Sequence, residues 1–241
     1  VVIVYNHNSL YSRSYHDAVL DALSPHQDRL QVVGECDFMG DDYARVQAYL
    51  RSLTQQSFDI LLVIPDGGLE PNSLRNLGLI SRLTAGAHTV AGPATLHHPN
   101  VLQWLQESAH ETAAETATGA SIPSHPHLVA CVPWQPKSST TALDYQFCQL
   151  GERLWGLANL TWRTATTFDA GLLIAHGLQQ HRPENAQEFL PQLSHGYKQL
   201  HKTLLGATGE LCFCPNGDRQ NPPAVIVSAA HNSHQWQWQP G

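Results

Sequence analysis

Apolar and polar positions alternate between two periods along the first half of the chain. Val1–Tyr5 (VVIVY) is a continuous apolar run, the pattern of a strand buried on both faces. The polar stretch Asn6–Leu10 breaks it. From Tyr11 to Leu23 the apolar positions Tyr15, Val19, Leu20 and Leu23 fall at helical spacing. The same two-beat unit then repeats. Leu30–Gly34 reads as a second strand. Tyr43–Leu53 reads as a helix, with Val46, Tyr49, Leu50 and Leu53 on one stripe. Asp59–Ile64 is a third strand, stopped by Pro65-Asp66-Gly67-Gly68. A helix over Pro71–Leu83 follows, then a short strand His88–Ala91 ended by Gly92–Pro93. A short helix over Val101–Glu107 and a strand over Leu128–Val132 close this half.

Repeated β–α units of this length imply an α/β fold: a parallel sheet with helices on both faces and right-handed crossovers. Open sheets of this kind take ligands outside the carboxyl ends of their strands. The loops Asn6–Leu10, Pro65–Gly68 and Gly92–Thr95 all stand at such ends and would line one common edge.

The second half changes character. Ala142–Gly156 and Arg163–Gln180 are helical patterns with no strand between them, and Glu184–Leu205 is a further helical region. Gly206-Ala-Thr-Gly209 then leads into the alternating run Glu210–Phe213. Pro215–Asp218 is a strong turn signal, and Ala224–Val227 a strand. This order is odd for one Rossmann-like domain and makes sense if the helices belong to a different lobe. Ser108–Pro126, rich in Ala, Thr, Ser, Glu and Pro, reads as a mobile or inserted loop.

Charge narrows the partners. Charged residues make up only 14% of the 241 residues and the formal net charge is -7, with no cluster of Lys and Arg. Nucleic acid and anionic membrane surfaces both need a concentrated basic face, so neither is expected as a partner. No apolar run approaches the roughly 20 residues that span a bilayer. No leader peptide is visible either. A strand that begins at residue 1 points to a trimmed chain, so that absence says little about the compartment.

The five cysteines, Cys36, Cys131, Cys148, Cys212 and Cys214, are odd in number and scattered, which is not a disulfide framework. Cys212 and Cys214 would share a strand face, but no second pair stands at zinc spacing despite 15 histidines. No metal site and no cofactor is expected. His97–His98 and His231/His234 read as loop or surface residues.

Chemistry-bearing motifs are few. No glycine-rich dinucleotide fingerprint follows the first strand, and no phosphate-binding Gly-Lys-Ser/Thr occurs. A Gly-x-Ser-x-Gly nucleophile turn is also missing. Ser12, Ser14 and His16 could be imagined as nucleophile and base. Their spacing does not bring all three to one helix face, so they read as a polar helix start on the surface. Asp41–Asp42 read as the acidic start of a helix. Trp104, Trp134, Trp155 and Trp162 read as core or lobe-interface aromatics.

Three stretches carry a family resemblance. "VVIVYNHNSLYSRSYHDA" (1–18) resembles the strand, loop and helix that open the C-terminal lobe of type I periplasmic solute-binding proteins of the branched-chain amino-acid type. "WRTATTFDAG" (162–171) resembles the helix by which such chains cross back through the N-terminal lobe. "LGATGELCFCPNGDRQNPPAVIV" (205–227) resembles their closing hairpin, and its Gly pair, aromatic and Asn-Gly-Asp-Arg turn make it the most specific match. "CVPWQP" and "LWGLANLTWRTATTFDA" look closest to a cyanobacterial branch, some of whose members are fused to protein kinases. The resemblance runs over nearly the whole chain, in order, but lacks the family's opening region, so it implies an incomplete N-terminal lobe.

The resemblance implies residues 1–136 as the C-terminal α/β lobe. Residues 137–204 become helices crossing to the N-terminal lobe, and 205–241 a closing hairpin and strands returning to the C-terminal lobe. It also implies a periplasmic, non-enzymatic receptor that holds an amino acid or amide-like solute by lobe closure and delivers it to an ABC permease. By position Tyr11, Asp66, Gly67, Pro93 and Ala94 are the ligand-binding candidates. Pro93 stands where the family expects an acid, so Asp66 would have to substitute for it. Two of these have plain structural readings as well: Pro-Asp-Gly is ordinary turn chemistry, and Tyr11 is equally a helix-start aromatic. Asp169 reads as a capping or interdomain group. The competing functions are a sensory domain controlling an attached kinase or other signalling module, and a small α/β enzyme.

Overall fold

The computed structural model describes residues 1–37, 48–49, 52, 58–65, 89–103, 105–106, 127–136, 142–156, 160–180, 187–188, 204–231 and 236–240. The expected helix 71–83 and the loop 108–126 lie outside the described residues. The chain divides into two compact units, one of Val1–Cys131 with Ile226–Gln239, the other of Val132–Val225.

The first unit is built on a seven-stranded sheet. Its strands are β1 (Val2–Tyr5), β2 (Gly34–Asp37), β3 (Ile60–Ile64), β4 (Thr89–Gly92), β5 (His127–Val132), β8 (Val225–His231) and β9 (Trp236–Pro240), in spatial order β2-β1-β3-β4-β5-β8-β9. The pairs β1–β2, β1–β3, β3–β4 and β4–β5 are parallel. Val2, Ile3 and Val4 are each 0% exposed. Successive strand residues point to opposite faces, so three buried in a row mean that both faces of β1 are covered. The α/β reading of the apolar runs therefore holds.

Helix α1 (Leu10–Leu23) joins β1 to β2. It starts where it does because Ser9 is the N-cap, its hydroxyl accepting from the Ser12 amide. It stops at Ser24 because Pro25 supplies no amide for a further turn. The second strand departs from expectation: it is Gly34–Asp37, and Leu30–Val33 lead into it. Pairing decides this, because the register Val2↔Gly34 to Tyr5↔Asp37 matches an edge strand to the four residues of β1. Strand β9 had no counterpart in the sequence reading, although Trp236-Gln-Trp238-Gln does alternate with a period of two.

The second unit holds α2 (Ala142–Trp155), α3 (Trp162–Gln180) and the antiparallel pair β6 (Leu204–Gly206) and β7 (Gly209–Leu211). Leu204 and Leu205, expected to close a helical region, are strand instead and pair with Leu211 and Glu210. The core is Trp134, Phe147, Leu160, Ala165 and Ala207, with Cys148, Trp162 and Phe168 against it. The Trp134 and Phe147 rings meet edge to face at 5.5 Å. Gly151 lies where any Cβ would strike the Leu160 side chain. Of the tryptophans read as core or interface, Trp134 is fully buried and Trp155 is exposed.

Asp169 secures the hairpin. Its carboxylate accepts from the Ala207 amide at 2.6 Å, the Thr208 amide at 3.0 Å and the Thr208 hydroxyl. Arg219 donates to the same hydroxyl at 2.6 Å and to the Glu210 carbonyl at 2.7 Å. The Asn216–Arg219 motif thus delivers a guanidinium that clasps β6–β7 from outside. Its own turn is closed by the Gly217 amide on the Cys214 carbonyl, with Pro215 second in the turn and Gly217 at φ 94°.

Candidate functional site

Strand order places the candidate site. In the order 2-1-3-4-5 the chain leaves β1 on one side for β2 and resumes on the other at β3. The carboxyl ends of β1 and β3 are therefore the switch point where such sheets bind ligands.

The loop after β1 is bonded at every turn. The Asn6 amide donates to the Ser12 hydroxyl at 2.9 Å and the His7 amide to Asp37 Oδ1 at 3.1 Å. The Asn8 amide donates to Asn6 Oδ1 at 3.0 Å, and the Ser9 amide to the Asn6 carbonyl at 3.1 Å. The His7 ring also meets Asp37 Oδ2 through Nδ1, tying the loop to the end of β2. On the other side the Ser12 hydroxyl donates to the Ile64 carbonyl, the last residue of β3, at 2.5 Å.

Ser12 and His16 are buried, which corrects their reading as surface residues. Both follow from α1 lying with this face on β1 and β3. His16 stacks on Tyr5 at 4.0 Å and 13°. Its Nε2 lies 2.9 Å from Glu35 Oε2 and its Nδ1 3.1 Å from Asp17 Oδ1. Burial, then the carboxylates of Asp37, Glu35 and Asp17, push the Tyr5 phenol above its ordinary range, so it stays protonated. The Ser12 proton is committed to a backbone carbonyl, so this serine is not poised as a nucleophile. Among the described residues no group of three His, Cys, Asp or Glu could hold a metal ion.

Tyr11 stands in the first turn of α1, 39% exposed, its ring 6.1 Å from that of Tyr15. Pro93 is buried after β4 and opens a single 3-10 turn, Ala94–Leu96. Gly92 is required there, because a Cβ would lie 2.5 Å from the Val63 carbonyl oxygen. Tyr11 and the Pro93–Ala94 pair thus follow two strands separated only by β3, at one edge of the sheet. Asp66 and Gly67 lie outside the described residues. His97, read as a loop or surface residue, is buried, with its ring 5.0 Å from Trp238. Thr95 is 4% exposed and its hydroxyl has no hydrogen-bond partner among the described residues.

Sequence reasoning placed Ser12 on the surface and missed both its loop-tying role and the His7–Asp37 tie. The available signal was Ser9, a capping residue immediately before the first helical position, which sets Ser12 one turn into the helix.

No protein-family model and no curated protein matches the chain. Solved structures do. A leucine-binding protein from Thermotoga maritima matches with a TM-score of 0.68 at 12% identity, over 99% of this chain and 59% of its own. A periplasmic binding protein type 1 from Bordetella pertussis matches with a TM-score of 0.66 at 11% identity, over 100% and 60%. A solute-binding protein of an ABC transporter from R. palustris, in complex with benzoate, matches with a TM-score of 0.60 at 12% identity, over 99% and 57%. The chain therefore has the fold of the type I periplasmic substrate-binding proteins and spans about three-fifths of the length of these structures.

Proposed function

We infer that this chain is the larger part of an extracytoplasmic receptor that captures a small solute for ABC-type uptake, without making or breaking a bond. The supporting observation is the pre-bonded loop at the switch point of a 2-1-3-4-5 sheet, in a fold whose solved neighbours are substrate-binding proteins. In this reading residues 1–136 form the C-terminal lobe, 137–204 cross to an N-terminal lobe, and 205–241 close the structure. Tyr11, Asp66, Gly67, Pro93 and Ala94 are the ligand contacts at the sheet edge. The solute is amino-acid-like or amide-like in size, and the protein works in the periplasm with a permease as its partner. The neighbours' ligands, leucine and benzoate, bracket the range to screen.

The test is a thermal-shift screen of the full-length protein against leucine, isoleucine, benzoate, and small amides. A ligand at 100 times its Kd adds about 2.7 kcal/mol to folding stability, so a true solute raises Tm by several degrees. No shift from any member of the panel would sink the receptor reading.

A further inference from the structure

We propose that Ser12 is a positioning residue for solute recognition, one that fastens the loop after β1 to the carboxyl end of β3. This rests on the receptor reading above. Ser12 is 0% exposed, so it touches no solute directly. Its single hydroxyl makes two bonds of different origin: it donates to the Ile64 carbonyl at the end of β3 and accepts from the Asn6 amide just past β1. Those two backbone groups flank the switch point.

The consequence reaches the edge through the loop. Once Ser12 holds the Asn6 amide, the next three amides are taken by Asp37, Asn6 Oδ1 and the Asn6 carbonyl. Arg13 adds a bond to the His7 carbonyl at 3.3 Å. The loop is thereby ordered before any ligand arrives, and the first turn of α1, with Tyr11, is presented at a set place. Ordering in advance removes an entropy cost from binding. A serine is suited to this because one small hydroxyl both donates and accepts. Alanine removes both bonds at once and leaves two backbone groups unpaired.

Two measurements on Ser12→Ala and on the near-isosteric Ser12→Cys test the proposal. In amide hydrogen exchange, Ser12→Ala should speed Asn6, His7, Asn8 and Ser9 by roughly tenfold or more, with the amides of β4 and β5 at wild-type rates. In titrations with leucine, isoleucine and benzoate below the variants' melting range, Ser12→Ala should weaken whichever probe binds by about tenfold. Ser12→Cys should fall between, and Ser12→Ala should be non-additive with Tyr11→Ala. Exchange that rises equally over the whole sheet makes Ser12 a general stability residue and overturns the proposal. So does unchanged probe affinity in Ser12→Ala when Tyr11→Ala loses it. If the wild type binds none of the probes, the receptor reading fails. Ser12 then stays only as a loop staple, a role the exchange pattern alone decides.

Discussion

Asp144 is 2% exposed and accepts the Trp134 indole N–H at 2.7 Å. Burial pushes its carboxyl above the ordinary range, and the indole bond only partly opposes this. The folded state therefore binds this proton more tightly than the unfolded chain does. Asp144's contribution to stability is complete below its unfolded pKa, about 4, and is lost as pH rises through the raised folded value. Asp144→Asn keeps the acceptor oxygen and cannot ionise. It should shrink the fall in Tm between pH 4 and pH 7 measured by calorimetry, and an unaltered slope would show that Asp144 does not cause it. Thr95 is the second case at this scale. Its hydroxyl is buried without a partner among the described residues, and valine has the same shape without that cost. Thr95→Val should raise Tm by about 2–4 °C, the shift that roughly 1 kcal/mol gives a protein of this size. A lower Tm would contradict an unpaired hydroxyl.

At the scale of elements, the β6–β7 hairpin depends on one close approach. A Cβ on Gly206 would strike the Asp169 carboxylate that holds the Ala207 and Thr208 amides. Gly206→Ala should cost about 2–3 kcal/mol in a urea titration through overpacking and displaced hydrogen bonds. Asp169→Ala, which strands two buried amides, should cost at least as much. If the glycine variant melts like wild type, the turn has room that the structure does not show. The helices follow the same logic of caps and fit. α1 begins at the Ser9 cap and ends ahead of Pro25, and α2 carries Gly151 where Leu160 crowds it.

For the whole molecule, α2 exposes Tyr145, Leu150, Leu154 and Trp155, and α3 is a second helix whose surface asks for cover. From Ala170 to Gln180 it has no Asp, Glu, Lys or Arg. Ile174 and Leu178, one turn apart, are exposed, and a Cβ on Gly171 would meet open space. Contiguous exposed apolar surface attracts other apolar surface. Replacing the pair as Ile174→Glu with Leu178→Lys adds a favourable i, i+4 pair. It should lower binding of a hydrophobic dye by the 241-residue chain and leave Tm within about 1 °C. Dye binding that does not change would place the sticky surface elsewhere. No helix among the described residues is long and apolar enough to cross a membrane.

Much of this was legible one residue at a time. Continuous apolar runs gave β1, β3 and β5, and helical spacing gave α1, α2 and α3. The Pro215–Asp218 turn was read from its Pro-Asn-Gly-Asp chemistry. These are local properties, set by side-chain periodicity, capping and permitted φ, and they need no partner to be inferred. Tertiary structure decided what depends on pairing. The second strand moved to Gly34–Asp37 because β1 set its register. Leu204–Leu205 became strand because a partner strand was there to take it. Ser12 and His16 passed from apparent surface to interior, since periodicity says which residues share a helix face but not what that face lies against. The sequence by itself determined the α/β class and the elements that periodicity and capping define, β1, β3, β5 and the helices α1 to α3. Only the fold, by bringing residues 52 positions apart to one hydroxyl, decided which serine shapes the edge where a solute would bind.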